Sequence, residues 1–170
     1  MFLLKSEGIQ DGWILDRFGI KSEEVIEGVP QRSFPLSWEG APAGTKSFAI
    51  VFQDYDNVPD EGFSWIHWLA ADIPGNVTSL PEHASREDAE LIQGTNSWAV
   101  PYGPYADISK DLTLHYGGPA PGRKHLYEMK IYALDTLLGL RKGFYYNELF
   151  WAMEGHVLGE STLRGYYSER

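Results

Sequence analysis

Residues 117–134 read GGPAPGRKHLYEMKIYAL, a glycine- and proline-rich turn that leads directly into a strand pattern. At the two-residue period of a β-strand, alternate positions of this stretch share one face, which is apolar apart from its first two members. Those positions are His125, Tyr127, Met129, Ile131 and Ala133. The pattern therefore aims a histidine and a tyrosine at the core where the strand leaves its turn, and a binding pocket can open there.

The composition suits one compact domain that spans residues 1–170. Of these 170 residues, 43% are hydrophobic and 22% are charged, which provides enough apolar material for a core. The 18 glycines and 10 prolines separate many short apolar runs, a pattern typical of strands joined by turns. We therefore predict a mainly β fold.

Charge and cysteine content exclude several classes of function. The formal net charge of -10 argues against a general affinity for nucleic acid or anionic membranes. The absence of cysteine excludes disulfides, thiolate nucleophiles and iron–sulfur clusters. The apolar start Met1–Leu4 meets Lys5 at once, so no signal-peptide core or membrane span is predicted. We expect a cytoplasmic protein without integral membrane contact.

Two further strands carry a polar residue on an apolar face. The runs SFAIVFQ, from Ser47, and WIHWLAAD, from Trp65, are short and apolar, as buried strands are. The even positions of the first run lead to Asp54. The odd positions of the second run, together with Phe63, share one predicted face with His67.

Asp54, His67, His125 and Tyr127 are thus all predicted to face inward. Burying such groups without partners costs roughly 2–7 kcal/mol each, so they are expected to be paired or to hold a ligand. Alternation leaves two interpretations open: separate core residues whose hydrogen bonds are satisfied, or one shared polar pocket.

The remaining segments give weaker signals. Trp13–Leu15 is predicted as an edge strand, residues 81–92 as a helical turn, and residues 94–124 as a loop of a length that usually carries function. A helix is predicted from Asn147, as N-cap, to Gly159, followed by a closing strand or tail. One stripe of that helix would hold Leu149, Ala152, Met153 and His156.

Five short motifs follow one another along the chain in an order and spacing that match a known protein family. They are DYDNVP at 54–59, WIHW at 65–68, NSW at 96–98, GGPAPGRKHLY at 117–127 and MEGHVLGESTLRGYYSER at 153–170. In this order they resemble the phosphatidylethanolamine-binding protein family, and most closely its bacterial branch, which is often described as Raf kinase inhibitor-like. The resemblance covers roughly residues 20–170.

The resemblance implies a β-sandwich of two antiparallel sheets with a C-terminal helix and short helical turns. It also implies a small anion pocket for phosphate, acetate-like anions or a phospholipid headgroup. The pocket residues carried over from the family are Asp54, His67, Gly118, Ala120, Pro121, His125 and Tyr127. Asp56 and Trp65 are expected to support the pocket from beside it, and no cofactor or metal is implied.

A physical role follows for each part of such a pocket. Glycine has no Cβ and proline fixes its φ, so the turn at 118–121 would let backbone amides approach an anion. His125 and Tyr127 would donate hydrogen bonds, and binding would be best with at least one histidine protonated, at about pH 6–7. Asp54 would orient a histidine or receive an ammonium group.

Other site chemistries find little support. Asp54 and Asp56 in one loop do not specify the separation that a paired-carboxylate hydrolase needs. No HExxH or His-x-His spacing suggests zinc. The sequence GESTL around Ser161 ends in Leu163 where a nucleophile elbow requires glycine.

The expected function is therefore a non-enzymatic binding protein for a small anionic or phosphorylated ligand. The main alternative, which the resemblance also implies because some family members act on kinases or proteases, is an inhibitor or scaffold in which a protein-binding surface matters and the pocket is secondary. A weak hydrolase using Asp54 and His125, and a purely structural sandwich, remain open. The resemblance further implies a homodimer, since members of the bacterial branch often form dimers, and the six tryptophans could supply its apolar interface.

Overall fold

The computed structural model describes residues 1–169, which form twelve strands and three short α-helices. The strands are β1 Leu3–Lys5, β2 Ile9–Gln10, β3 Trp13–Ile14, β4 Val25–Ile26, β5 Val29–Pro30, β6 Leu36–Glu39, β7 Ser47–Asp54, β8 Trp65–Pro74, β9 Ser79–Leu80, β10 Ile92–Gln93, β11 His125–Leu134 and β12 Val157–Tyr167. The helices are α1 Val58–Glu61, α2 Ala84–Glu87 and α3 Tyr146–Ala152. Five 3₁₀ turns cover Asp16–Phe18, Tyr55–Asn57, Ser97–Ala99, Gly103–Tyr105 and Lys110–Leu114.

The strands form a sandwich of a large and a small sheet, so the predicted mainly β fold is confirmed. The large sheet has the strand order β10-β8-β7-β11-β12-β3-β2, and the small sheet has the order β1-β6-β9. All described pairings are antiparallel except the contact of β12 with β3, and β4 pairs with β5 as a separate hairpin.

The main core lies between the two sheets. The large sheet supplies alternate residues of β7 and β11, including Phe52 and Ile131, and the small sheet supplies Leu36 and Trp38. Full burial of each such side chain contributes roughly 1.5–3 kcal/mol to folding. The alternation predicted for β11 therefore agrees with the structure.

A second core covers the opposite face of the same sheet. Val51 of β7 and Leu69 of β8 pack there against Phe144, Leu149 and Met153, from the segment that includes α3. Because β7 is covered on both faces, all eight of its residues are buried. This explains why its sequence is an unbroken apolar run.

A β-bulge at His67 corrects the predicted alternation of β8. Gln53 pairs with Ile66 but Phe52 pairs with Trp68, so His67 is the extra residue. The bulge turns His67 toward the ring of Phe52, with 5.2 Å between the ring centroids. Leu69 lies in the second core, on the opposite face from Phe52, so the prediction that it shares a face with His67 is wrong.

The end of the chain also differs from expectation. Helix α3 is capped at Tyr145, whose backbone N–H donates to Glu148 Oε2 at 2.7 Å, and not at Asn147. The helix ends at Ala152, well before Gly159, because Gly155 adopts a left-handed φ of 79° that turns the chain into β12. The helix therefore precedes the last and longest strand.

Three weaker predictions hold. Trp13–Ile14 is a short strand, a helical turn lies at Ala84–Glu87, and residues 94–124 contain no strand. Within residues 1–169, no helix is long and apolar enough to cross a membrane.

Candidate ligand-binding site

A cavity of about 240 Å³ opens where β7 ends and where β8 and β11 begin. Four polar side chains on these strands line it: Asp54, His67, His125 and Tyr127. Trp65, Ala120 and Pro121, which the sequence analysis also named, belong to the same wall. The shared polar pocket, left open by alternation, is therefore the arrangement that the structure contains.

Strand register brings these residues together. Asp54, the last residue of β7, pairs with Tyr127 on one side and with Trp65 on the other. Paired residues of neighbouring antiparallel strands project from the same face, so all three point into the cavity. His125 lies two residues before Tyr127 on the same face of β11.

Asp54 and His125 form the central contact of the site. Asp54 Oδ2 lies 2.6 Å from His125 Nδ1, and both residues are only 3% exposed. The other atoms of the pair, Asp54 Oδ1 and His125 Nε2, are buried without a hydrogen-bond partner. Burial raises the pKa of the Asp54 carboxyl, and the hydrogen bond to His125 opposes that rise only in part.

His67 is held as a neutral ring. Its Nδ1 lies 2.7 Å from the Gly117 carbonyl oxygen; because a carbonyl only accepts, Nδ1 carries the hydrogen. Burial lowers the pKa of His67 from 6.5 to about 3, against the raising effect of the Gly117 carbonyl. His67 therefore cannot supply the protonated imidazole expected near neutral pH, and its Nε2 is an acceptor.

Tyr127 and Trp65 add hydrogen-bond donors to the wall. Burial, and then the charge of Asp54, raises the pKa of the Tyr127 phenol, so this group keeps its hydrogen. Trp65 Nε1 is buried and has no hydrogen-bond partner. The rings of Trp98 and Tyr105 pack against Trp65, with centroids 5.2 and 4.9 Å away.

The glycine-rich turn contributes differently from expectation. The Gly117 N–H donates to the carbonyl of His67 and the Gly118 N–H to the carbonyl of Pro30, each at 2.9 Å. Gly118 does not line the cavity, and a Cβ on it would lie 2.1 Å from the Phe18 carbonyl oxygen. These glycine amides therefore hold the chain in place, and the residues of the turn that line the cavity are Ala120 and Pro121.

Asp56 lies outside the cavity wall and binds the segment that leads into β11. Its Oδ2 accepts a hydrogen bond from the Leu126 N–H at 2.9 Å, and its carbonyl accepts one from Arg123 at 2.9 Å. Both contacts fasten the segment after β7 to the start of β11.

Several site residues were missed by sequence reasoning. Asp60 on α1 places Oδ2 3.3 Å from His125 Nε2, but the atoms are not aligned for a hydrogen bond. Arg123 pairs with Asp60 at 3.2 Å across the rim. Further lining residues are Gly28, Asn57, Trp98 and Tyr105. The NSW motif could have identified Trp98 and the DYDNVP motif Asn57, whereas the others lie in segments without periodicity.

The cavity wall contains Asp54 and His125, the two residues that a weak hydrolase would use, but no serine, threonine or lysine. Ser161, the other residue considered for hydrolysis, lies on β12, where its hydroxyl accepts from the Leu4 N–H at 2.9 Å. Within residues 1–169, no three acidic or histidine side chains cluster so as to hold a metal ion.

Comparisons of sequence with known proteins give consistent results. The family model for phosphatidylethanolamine-binding protein matches residues 5–168. The Bacillus subtilis protein YxkA is 46% identical over 156 residues, which are 89% of this chain and 91% of YxkA. A protein of Methanothermobacter thermautotrophicus is 37% identical over 153 residues, 89% of this chain and 92% of the relative.

Solved structures show the same architecture. A phosphatidylethanolamine-binding protein homolog from Chlamydia trachomatis has a TM-score of 0.77 at 27% identity, covering 99% of this chain and 98% of its own. Escherichia coli YbcL, described as a new member of the mammalian phosphatidylethanolamine-binding protein family, has a TM-score of 0.75 at 25% identity, and the match covers 99% of each chain.

Proposed function

Because the chain belongs to the phosphatidylethanolamine-binding protein family, we propose that it is a binding protein whose cavity holds a small phosphate-like group without chemical turnover. One observation carries the proposal: Asp54 Oδ1 and His125 Nε2 are buried in the cavity wall without a hydrogen-bond partner. A buried polar atom left unpaired costs about 1–3 kcal/mol. A ligand that pairs these atoms recovers that free energy.

The surrounding wall supports a small polar ligand. The rings of Trp65 and Trp98 exclude water from one side, and Tyr127 and Trp65 supply donors for ligand oxygens. At about 240 Å³ the cavity suits a phosphate-sized group better than a large cofactor. The lack of serine, threonine and lysine among the lining residues supports binding over hydrolysis through such a nucleophile.

The test is a titration with inorganic phosphate and phosphorylethanolamine, followed through the imidazole signals of the protein by NMR. We expect the signals of His67 and His125 to shift at millimolar ligand and His125→Asn to weaken binding at least tenfold. His156→Asn is the matched control, because His156 bonds Asp135 at 2.8 Å away from the cavity wall. Unmoved His67 and His125 signals would refute the proposal.

A second candidate function is protein binding, with the pocket secondary. It is favoured by three aromatic side chains in and beside α3 that are more than half exposed: Tyr145, Phe150 and Trp151. A second copy of the chain is the partner that can be tested directly. Light scattering of the wild type and of Trp151→Ser tests self-association. A wild-type dimer that Trp151→Ser weakens would support it, and a wild type that is monomeric at all concentrations would argue against it.

A further inference from the structure

The cavity wall presents acceptors as well as donors. Asp54 Oδ1 has no partner in the structure, and the bond from His67 Nδ1 to Gly117 leaves His67 Nε2 as an acceptor. The donors are the Tyr127 hydroxyl and Trp65 Nε1. His125 Nε2 donates a hydrogen bond when the imidazole ring is protonated. When the ring is neutral, its one hydrogen stays on Nδ1, where it is donated to Asp54, and Nε2 becomes a third acceptor.

Charges around the cavity leave no excess of positive charge. The titratable side chains that line it are Asp54 from β7, His67 from β8, His125 and Tyr127 from β11, and Tyr105 from a 3₁₀ turn. Asp60 and Glu61 from α1 and Arg123 from the turn before β11 line the opening beside it. A protonated His125 is balanced by Asp54, and Arg123 is paired with Asp60. A dianion would therefore be poorly compensated here.

We propose, on the basis of the proposed function above, that the cavity selects a phosphate group that carries its own hydrogen. The ligand class is a singly protonated phosphate or phosphate monoester, in preference to sulfate or the phosphodiester of an intact phospholipid. All of these groups have oxygens that accept hydrogen bonds. Only phosphate and its monoesters have a P–OH in this pH range: a monoester keeps its hydrogen below its second pKa of about 6, and inorganic phosphate keeps one throughout.

The P–OH completes the hydrogen bonding of the wall. It donates to Asp54 Oδ1 or His67 Nε2, and the remaining oxygens accept from Tyr127, Trp65 and a protonated His125. A ligand without this hydrogen places an oxygen against a buried acceptor, and two lone pairs then face each other. A hydrogen bond to a charged group makes the expected discrimination about 10- to 100-fold.

The effect of pH separates the ligand proton from the protein protons. Above about pH 6 the monoester loses its hydrogen, so its affinity should fall as pH rises. A change in the charge of the protein acts on the binding of sulfate as well as on that of the monoester. The ratio of the two affinities therefore isolates the contribution of the ligand hydrogen.

The experiment compares methyl phosphate, sulfate and dimethyl phosphate by calorimetry at pH 5.5 and pH 8. We expect methyl phosphate to bind at least tenfold more tightly than the other two at pH 5.5, and this ratio to shrink several-fold at pH 8, where the monoester has lost its hydrogen. Equal affinities for methyl phosphate and sulfate, or a ratio independent of pH, would overturn the inference and leave the proposed function standing. No binding of any of the three would overturn both.

A variant tests the acceptor directly. Asp54→Asn replaces a carboxylate with an amide that can donate, so the preference for methyl phosphate over sulfate should fall toward one. Retention of the full preference in a folded Asp54→Asn protein would show that Asp54 does not read the ligand hydrogen. His156→Asn should retain the preference, as its ring lies outside the cavity wall.

Discussion

Asp54 Oδ2 and His125 Nδ1 lie 2.6 Å apart although 71 positions separate the two residues in the sequence. Both belong to adjacent strands of one sheet, and both are almost completely buried. Substitution of either residue is therefore expected to change both the stability of the fold and the binding of a ligand.

Replacing His125 with leucine should destabilise the fold by about 3–5 kcal/mol at pH 8, because Asp54 then remains buried without its partner. Burial already raises the pKa of Asp54, and losing His125 raises it further. The folded state then binds a proton that the unfolded state has released, so stability of the variant falls as pH rises above the unfolded pKa of Asp54. Urea unfolding at pH 5 and pH 8 measures this; a loss that is equal at both pH values would contradict it.

His67 should make the protein less stable in acid. Its pKa falls from 6.5 to about 3 on folding, so below pH 6.5 the unfolded chain binds a proton that the folded chain excludes. Stability is complete above pH 6.5 and is lost as pH falls toward 3, with a slope of up to about 1.4 kcal/mol per pH unit. Denaturant unfolding should show a shallower slope in His67→Gln than in wild type, and an unchanged slope in His156→Asn. Identical slopes in wild type and His67→Gln would count against this account.

Asp60→Asn should strengthen anion binding. The Asp60 carboxylate lies 3.3 Å from His125 Nε2, so it repels an anion that approaches this atom. Asp60 is partly exposed and therefore screened, which limits the gain to roughly 3- to 10-fold at low salt and less at high salt. Phosphate titration by calorimetry at two salt concentrations provides the measurement. Asp11→Asn removes the same charge at a left-handed turn position that asparagine tolerates, and it serves as the control. An equal gain in phosphate affinity in Asp11→Asn would mean that the effect comes from the net charge of the protein and not from the position of Asp60.

Two glycines of the same turn should respond oppositely to alanine. Gly118→Ala should cost about 1–3 kcal/mol, because the new Cβ would lie 2.1 Å from the Phe18 carbonyl oxygen, which is backbone and cannot move aside cheaply. A Cβ on Gly122 would meet nothing within 4 Å, so Gly122→Ala should be neutral or stabilising by about 0.4–1 kcal/mol. Midpoints of guanidinium unfolding distinguish the two, and similar midpoints would contradict the structural role assigned to Gly118.

Local sequence was sufficient for the strands that are regular. Alternation in β11 and the apolar run of β7 are properties of a few neighbouring residues, and both strands were predicted nearly to their ends. The strand β12 was not predicted from Val157, since VLGESTLRGYY alternates poorly. It exists because it pairs with β11 along nearly its whole length.

The chemistry of the site was predictable in part. Alternation and the family resemblance together identified Asp54, His67, His125 and Tyr127. They did not identify Asp60, which reaches the cavity only because α1 folds over its rim. The resemblance predicts that Gly118 contacts the ligand, whereas in the structure it packs against the backbone of Phe18. Glycine allows a close approach by a ligand or by another part of the backbone, and the sequence does not distinguish the two.

The sequence by itself determined which side chains of the regular strand β11 face inward, because the direction of successive Cβ atoms in a regular strand is set by covalent geometry. Only the tertiary structure decided that His67 turns at a bulge, that its Nδ1 bonds Gly117, and that Asp60 approaches His125. Those features depend on strand register, on contacts between distant residues and on burial, and the protonation of His67 depends on all three.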